Sequence, residues 1–212
     1  MKHTTINGLR FHITPYGLLP GVTTVLQATD HPEKAKWLSA WREKVGEEEA
    51  DRIATEASER GTRIHSYVES LALGLEPKIE TRDKHSWSLI EPEVKACERF
   101  LYIEKQMYHS IGFAGSPDAI AIHRGKLKVI DWKTSRKVKY RSGIESYLMQ
   151  VSAYVNMANH MFDLGIKDAS IIMACDTAKK VKIFDVEYDE IMVLYRDFCV
   201  RLESFQESNP IF

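Results

Sequence analysis

Two acids and an amine fall in two short strings of this chain, Gly115-Ser116-Pro117-Asp118 and Val129-Ile130-Asp131-Trp132-Lys133. Leu127, Val129 and Ile130 make residues 126–132 a strand, residues 113–122 read as its neighbour, and Arg124-Gly125 supply the turn of a hairpin. Side chains alternate along a strand, which sends Asp131 and Lys133 to one face and Trp132 to the other, and lets Asp118 meet Asp131 from the adjoining strand. Two carboxylates about 4 Å apart repel by roughly 4 kcal/mol at an effective dielectric of about 20, so the pair calls for a cation between them. Oxygen ligands suit Mg²⁺ or Mn²⁺, ions that keep bound water and grip phosphate. The chemistry implied is phosphodiester hydrolysis, with Lys133 placed to orient the water or to neutralise charge developing on the phosphate. The alternative is a surface hairpin bearing ordinary charges, because acid-x-Lys strings are frequent.

A second string, from Arg60-Gly61-Thr62-Arg63-Ile64-His65 onward, has helical spacing, with Ile64, Val68 and Leu71 on one stripe and Gly74 as the stop. His65 and Glu69 are four apart and share a face. An imidazole nitrogen of His65 can serve the same cation, with Glu69 supporting it from the next turn. A lone helical histidine is otherwise a packing or surface residue. Gly61 suggests a close backbone approach near the helix start.

Taken together, R-G-T-x-x-H at 60–65, G-S-P-D at 115–118, V-I-D-W-K-T-S at 129–135 and Q-x-x-x-Y at 150–154 resemble the RecB-like branch of the PD-(D/E)XK nucleases. Within that branch the chain is most similar to the mitochondrial genome maintenance exonuclease family and its phage and bacterial relatives. Pro20-Gly21-Val22-Thr23-Thr24-Val25-Leu26 resembles that group's opening motif, and Glu104 falls where the group has a glutamate before its G-x-x-D strand. The resemblance implies a restriction-endonuclease-like fold, in which His65, Asp118, Asp131 and the backbone carbonyl of Trp132 hold Mg²⁺ or Mn²⁺. It makes Lys133 the catalytic lysine, working with Asp131, Asp118, Glu104 and Gln150. It also places Thr23, Gln150 and Tyr154 beside the nucleic-acid strand. Two departures stand out. Gly21 occupies a position where relatives often have serine, and Cys97, Cys175 and Cys199 are one thiol short of the four that hold an iron–sulfur cluster in some members, so no cluster is expected.

At 212 residues and 44% hydrophobic content, one domain is expected over 1–212, with 1–58 as an N-terminal hairpin and helical extension and 59–212 as the nuclease core. The 29 basic and 30 acidic residues nearly cancel, so global charge does not argue for nucleic acid. Local charge does: Lys133, Arg136, Lys137, Lys139 and Arg141 occur with no acid among them. This run is either a solvated loop or, next to a phosphodiester-cleaving centre, a phosphate track. No apolar run is long enough to span a bilayer, no secretory or Arg-rich transit segment opens the chain, and three scattered cysteines offer no disulfide framework. The expected setting is the cytoplasm of a bacterium or of a phage-infected cell, with no membrane partner.

Asn7-Gly8 marks a small N-terminal hairpin. Residues 32–58 read as charged helices whose Trp37 and Trp41 share a face, either packing on the domain or stacking on unpaired bases. A helix over about 86–100 leads to the strand before Glu104. Ile144, Leu148, Val151, Val155 and Phe162 form a helical core stripe flanked by Tyr147, Gln150 and Tyr154. Strands at 169–176 and 181–188 and a last helix through Ile191, Leu194, Phe198, Leu202 and Phe205 complete an α/β order, a mixed central sheet flanked by helices. The expected activity is a Mg²⁺- or Mn²⁺-dependent deoxyribonuclease, an exonuclease on single-stranded DNA ends in replication, repair or recombination. The alternatives are a non-catalytic nucleic-acid-binding module on the same fold, or a duplex end-resecting exonuclease with a recombination partner.

Overall fold

The computed structural model describes residues 3–209. Strands β1 (His3–Ile6), β2 (Leu9–Thr14) and β3 (Gly17–Pro20) form an antiparallel N-terminal sheet. Asn7 and Gly8 both take positive φ, 52° and 79°, the backbone that a two-residue hairpin turn demands. The sequence reading stopped at the hairpin; the third strand pairs Phe11 with Pro20 and carries the chain into helix α1 (Val22–Ala28).

Helices α2 (Pro32–Val45) and α3 (Glu47–Ala72) follow, hinged at Gly46, whose φ of 89° favours glycine. Helix α3 runs unbroken through residue 58, so the division expected there falls inside one helix. Apart from buried Ala50, its N-terminal turns are solvated, while Ile64, Tyr67 and Val68 are buried, which ties the projecting arm to the helix that carries His65. Helix α2 buries no residue, and Trp37 is 66% exposed. The expected packing of Trp37 on the domain is therefore overturned, because the neighbour α2 mainly lies along is α3.

Helix α4 (Lys84–Lys95) ends before strand β4 (Cys97–Ile103), so residues 97–100 are extended, not helical as expected. Strands β5 (Met107–His109) and β6 (Phe113–Gly115) make a separate ribbon. Strand β7 (Ala119–His123) then pairs with β8 (Lys126–Ser135) through a turn at Arg124-Gly125 with φ of 53° and 76°. The single strand expected over 113–122 is thus two, broken at Ser116-Pro117-Asp118. Pro117 lacks the N–H that a continuing ladder would need. Helix α5 (Glu145–Phe162), strands β9 (Asp168–Cys175) and β10 (Lys182–Glu187) and helix α6 (Tyr188–Ser208) close the chain.

The central sheet has the order β10-β9-β8-β7-β4, with β8 and β9 parallel and the other neighbours antiparallel. It is the expected mixed sheet flanked by helices. Alternation along β8 and β9 feeds two cores: Val129, Ile171 and Met173 face α5 and α6, while Ile130, Trp132, Ile172 and Ala174 face α3 and α4. Strands covered on both faces are apolar at nearly every position, as in Ser170-Ile171-Ile172-Met173-Ala174-Cys175, all buried. Among the described residues, no helix is long and apolar enough to cross a membrane.

Candidate metal and nucleic-acid site

The site forms where β8 outruns β7. Pairing with β7 ends at Ala119↔Ile130, whereas pairing with β9 continues to Ser135↔Cys175, so the β7 side of Trp132 is an open strand edge. Side chains take its backbone groups. The Trp132 N–H donates to Asp118 Oδ2 at 2.7 Å, and its carbonyl accepts from His65 Nε2 at 2.8 Å. Ile64, Tyr67 and Val68 seat α3 in the same apolar cluster as the Trp132 indole, and this places His65 over the edge. Buried backbone groups must find partners, and here the partners are the side chains of Asp118 and His65.

His65 Nδ1 lies 3.3 Å from Asp118 Oδ1 and 3.9 Å from Glu104 Oε1. One ligand atom from each of His65, Glu104 and Asp118 falls within 4.8 Å of the other two. Glu104 stands directly after β4 with φ of 46°, and its N–H donates to the Asp118 carbonyl at 3.1 Å. A left-handed glutamate is strained, and the register of β4 on β7 holds it there. Glu69, expected to support His65, is exposed, and both imidazole nitrogens find their partners on β8 and beside Asp118 instead. Gly61, expected to permit a close approach, lies within α3 with nothing inside 4 Å of where a Cβ would sit.

Asp131 and Lys133 emerge on the opposite face from Trp132, as alternation requires. Lys133 Nζ donates to Asp131 Oδ1 at 2.7 Å. Oδ2 lies 2.6 Å from the same nitrogen but outside hydrogen-bonding geometry, which leaves a buried carboxylate oxygen without a hydrogen bond. Burial and the charge of Asp118 push the Asp131 carboxyl up to about 6 against the pull of Lys133. Asp118 is also opposed by burial, yet His65, Lys133 and the Trp132 N–H bring it below the usual carboxylate range. For His65, burial works against the charged ring, but the charge of Asp118 and hydrogen bonds with Asp118 and Glu104 raise it to about 10. Burial also opposes the Lys133 ammonium, and the two aspartates outweigh it and push its pKa up.

This donor set fits a hard divalent ion: carboxylate oxygens of Asp118 and Glu104, an imidazole nitrogen, and next to them the unbonded Oδ2 of Asp131. The sequence placed Asp131 among the ligands and Glu104 among the catalytic acids. Geometry gathers His65, Glu104 and Asp118 most tightly and gives Asp131 to Lys133.

Helix α5 forms the other wall. Gln150 Nε2 donates to Tyr154 Oη at 3.2 Å, both residues being buried. A Cβ on Gly115 would sit 2.8 Å from Tyr154 Cε1, so the glycine of G-S-P-D is what lets this ring approach the strand end. At Gly21 a Cβ would come 3.1 Å from His12 Nε2, so a serine there would press on that ring. Exposed Thr23 links two recesses. One, of about 320 Å³, is lined by Arg10, His12, Glu104, Gln106, Ser116 and Tyr154; the other, of about 190 Å³, by Lys34, Ser146, Tyr147 and Gln150. Tyr147 and Lys34 continue into a third of about 380 Å³ that includes Lys139. Arg10, His12, Gln106 and Lys34 carried no sequence signal, since nothing in their spacing ties them to the motif strings.

The basic run divides. Arg136 and Lys137 are exposed, and Lys139 lies against Tyr147. Arg141 turns away to Glu190, with Nε 3.3 Å from Oε1, and donates to the Asp185 carbonyl at 3.1 Å. Arg60 of the R-G-T string pairs with Asp176 at 2.6 Å. The most voluminous recess described, about 580 Å³ around Lys126, Asp168 and Asp185, sits at the opposite end of β8 from Lys133. Cys97, Cys175 and Cys199 are free thiols on β4, β9 and α6.

The sequence profile of the PD-(D/E)XK nuclease superfamily matches residues 21–195. Mitochondrial genome maintenance exonuclease 1 of Xenopus tropicalis is 26% identical over 205 residues, covering 90% of this chain and 58% of the relative. The same protein of Mus musculus is 26% identical over 205 residues, covering 89% and 59%. The chain therefore spans somewhat over half the length of these curated relatives. A Eubacterium rectale protein of solved structure, provisionally assigned as an exonuclease, superposes with a TM-score of 0.50 at 11% identity, covering 72% of this chain and 69% of that one. That likeness concerns the fold.

Proposed function

This chain belongs to the PD-(D/E)XK nuclease superfamily, and from that premise we propose that it hydrolyses phosphodiester bonds of single-stranded DNA from strand ends, with Mg²⁺ or Mn²⁺ as cofactor. The observation that carries the reading is the convergence of His65, Glu104 and Asp118, from three elements far apart in sequence, beside the Asp131–Lys133 pair. Burying Asp118 and Asp131 together is costly for a merely structural cluster. His65, Glu104 and Asp118, with Asp131 beside them, would hold a divalent ion, which would supply the charge needed to polarise a phosphate and acidify a water.

The protein's own groups do the rest. Asp131 holds the Lys133 ammonium in place, and that ammonium offsets charge growing on the phosphate as the water oxygen bonds to phosphorus and the P–O3′ bond breaks. The phosphate stays on the 5′ oxygen of the downstream fragment, and the proton given up by the water ends on the O3′ hydroxyl of the upstream fragment. Gln150 and Tyr154 wall the reacting centre, and the linked recesses past Thr23, Lys34, Tyr147 and Lys139 suit one strand tracked through its phosphates. Arg136 and Lys137 extend the basic margin, while Arg141 braces it through Glu190.

The arm of α2 and the first turns of α3 supports action from ends. Trp37 and Trp41 hold parallel rings, 9° apart with centroids at 6.5 Å, on an exposed helix whose Lys34 lines the track. Such a surface suits bases without sequence preference. The test is digestion of end-labelled linear and of circular single strands with and without Mg²⁺ or Mn²⁺. Metal-dependent loss of the linear strand with the circle spared is expected. Binding without cutting would replace this reading with that of a binding module, and duplex cut faster than single strands would replace it with that of a resecting exonuclease.

A further inference from the structure

Two lysines with different tasks lie within reach of the Tyr147 ring. Lys133 Nζ is 5.2 Å from the ring centroid and Lys139 Nζ 5.0 Å, both within the ~6 Å reach of a cation–π contact. Lys139 also lies 3.5 Å from the hydroxyl. The two ammonium groups repel and draw on the same π density. Lys133 has a counter-ion in Asp131, whose Oδ1 accepts one of its three N–H donors. The ring is its second point of support. That ring also lines the recesses shared with Lys34 and Gln150, so a strand lying there reaches Lys139 and shields the contact from water.

We propose that Tyr147 is a positioning residue for the catalytic lysine: its ring holds the Lys133 ammonium toward the reacting phosphate, and a strand phosphate that draws Lys139 away leaves the ring's π density to Lys133. Substrate arrival thereby tightens the reacting group. The role assigned to Lys133 under the proposed function is its premise. It differs from a plain strand contact, in which the ring would add to affinity and leave the chemical step alone.

The test is steady-state cleavage of a labelled single strand at saturating Mn²⁺. Tyr147→Leu is expected to lower kcat about 2- to 30-fold, the range of a partly desolvated cation–π contact, with KM changed less than about twofold. Tyr147→Phe is expected to restore most of that rate, and Lys139→Ala to show the opposite signature, a raised KM. A raised KM with undiminished kcat in Tyr147→Leu overturns the proposal, as does a Tyr147→Phe protein as slow as Tyr147→Leu. Lysine-selective ¹³C NMR of the unmutated protein in EDTA supplies a readout independent of cleavage. Ring-current upfield shifts are expected for Lys133 and Lys139, and added oligothymidylate is expected to relax the Lys139 shift and deepen that of Lys133. Absence of the Lys133 shift overturns the proposal whatever the nuclease activity, whereas shifts as expected in a protein that cuts no strand overturn the functional premise instead.

Discussion

His65 faces two acceptors at once: Nε2 is 2.8 Å from the Trp132 carbonyl and Nδ1 is 3.3 Å from Asp118 Oδ1. Only an imidazolium donates from both nitrogens. Without an ion the ring therefore holds its proton up to a pKa of about 10, burial notwithstanding, because Asp118 and Glu104 favour the charged form. The usual histidine midpoint near 6.5 is not the relevant one.

Metal uptake must expel that proton, because a ligating nitrogen is unprotonated. Apparent affinity for Mn²⁺ is expected to rise about tenfold per pH unit from about 6.5 to near 10, with about one proton released per ion at pH 8. Below about pH 6 the Asp131 carboxyl also takes up a proton and steepens the dependence. Titration calorimetry in two buffers of different ionisation enthalpy measures the release. Uptake with no proton released would exclude His65 as a ligand.

Lys133→Ala separates the two contributions of this lysine. Removing a preorganised positive group from the reacting centre is expected to lower kcat by about 10²–10³. Stability should suffer less than the ~3–5 kcal/mol typical of a broken buried pair. Asp131 already titrates near pH 6 with Lys133 beside it, and loss of that charge raises it further, so the acid takes a proton at neutral pH instead of remaining a bare charge. Thermal unfolding at pH 6 and pH 8 checks this, with the larger deficit expected at pH 8. Equal deficits at both would mean that Asp131 stays ionised.

Two glycines in the motif strings should respond in opposite directions. Gly115→Ala puts a Cβ 2.8 Å from Tyr154 Cε1 and must move a buried ring next to Asp118. Overpacking of this kind costs about 1–3 kcal/mol and should reduce activity as well. Gly61→Ala meets open space inside α3 and should stabilise by about 0.5–1 kcal/mol. Chemical denaturation of both variants decides between a strained contact and a loosely filled wall.

That contrast shows what the sequence could and could not carry. Alternation along Val129–Lys133 gave the opposite facing of Trp132 and Asp131, and Asp118, just before β7, meets β8 as the hairpin reading expected, through the Trp132 N–H. The reading of Gly61 failed because a glycine code specifies conformational freedom, not what stands nearby. Residues 97–100 failed because Val94-Lys95-Ala96-Cys97 contains no breaker, so the change from helix to strand depends on pairing with β7, a contact remote in sequence. Trp37 was misplaced because an apolar face predicts burial only when a partner surface covers it, and α2 lies mainly along α3 with Trp37 left exposed. The wall made by Arg10 and His12 depends on how a separate N-terminal sheet docks, through the Gly21↔Ala114 bridge. No local pattern encodes such docking.

The basic run makes a last, quantitative claim. Of its members, Arg141 is committed to Glu190 and to the Asp185 carbonyl, whereas Lys139 lines a recess with Lys34 and Arg136 and Lys137 are exposed. Neutralising about four phosphates of a single strand gives a log–log salt slope of about −3. Lys137→Ala should flatten the slope by about 0.7 and weaken binding alike for every sequence. Arg141→Ala should leave the slope within about 0.3 of its value, because its charge is already paired, and should instead loosen the junction of the basic segment with α6. Fluorescence anisotropy of labelled oligothymidylate across a salt series, in EDTA to prevent cleavage, distinguishes the two. A slope reduced as much by Arg141→Ala as by Lys137→Ala would mean that Arg141 leaves Glu190 for the strand, and the track would then extend over the start of α6.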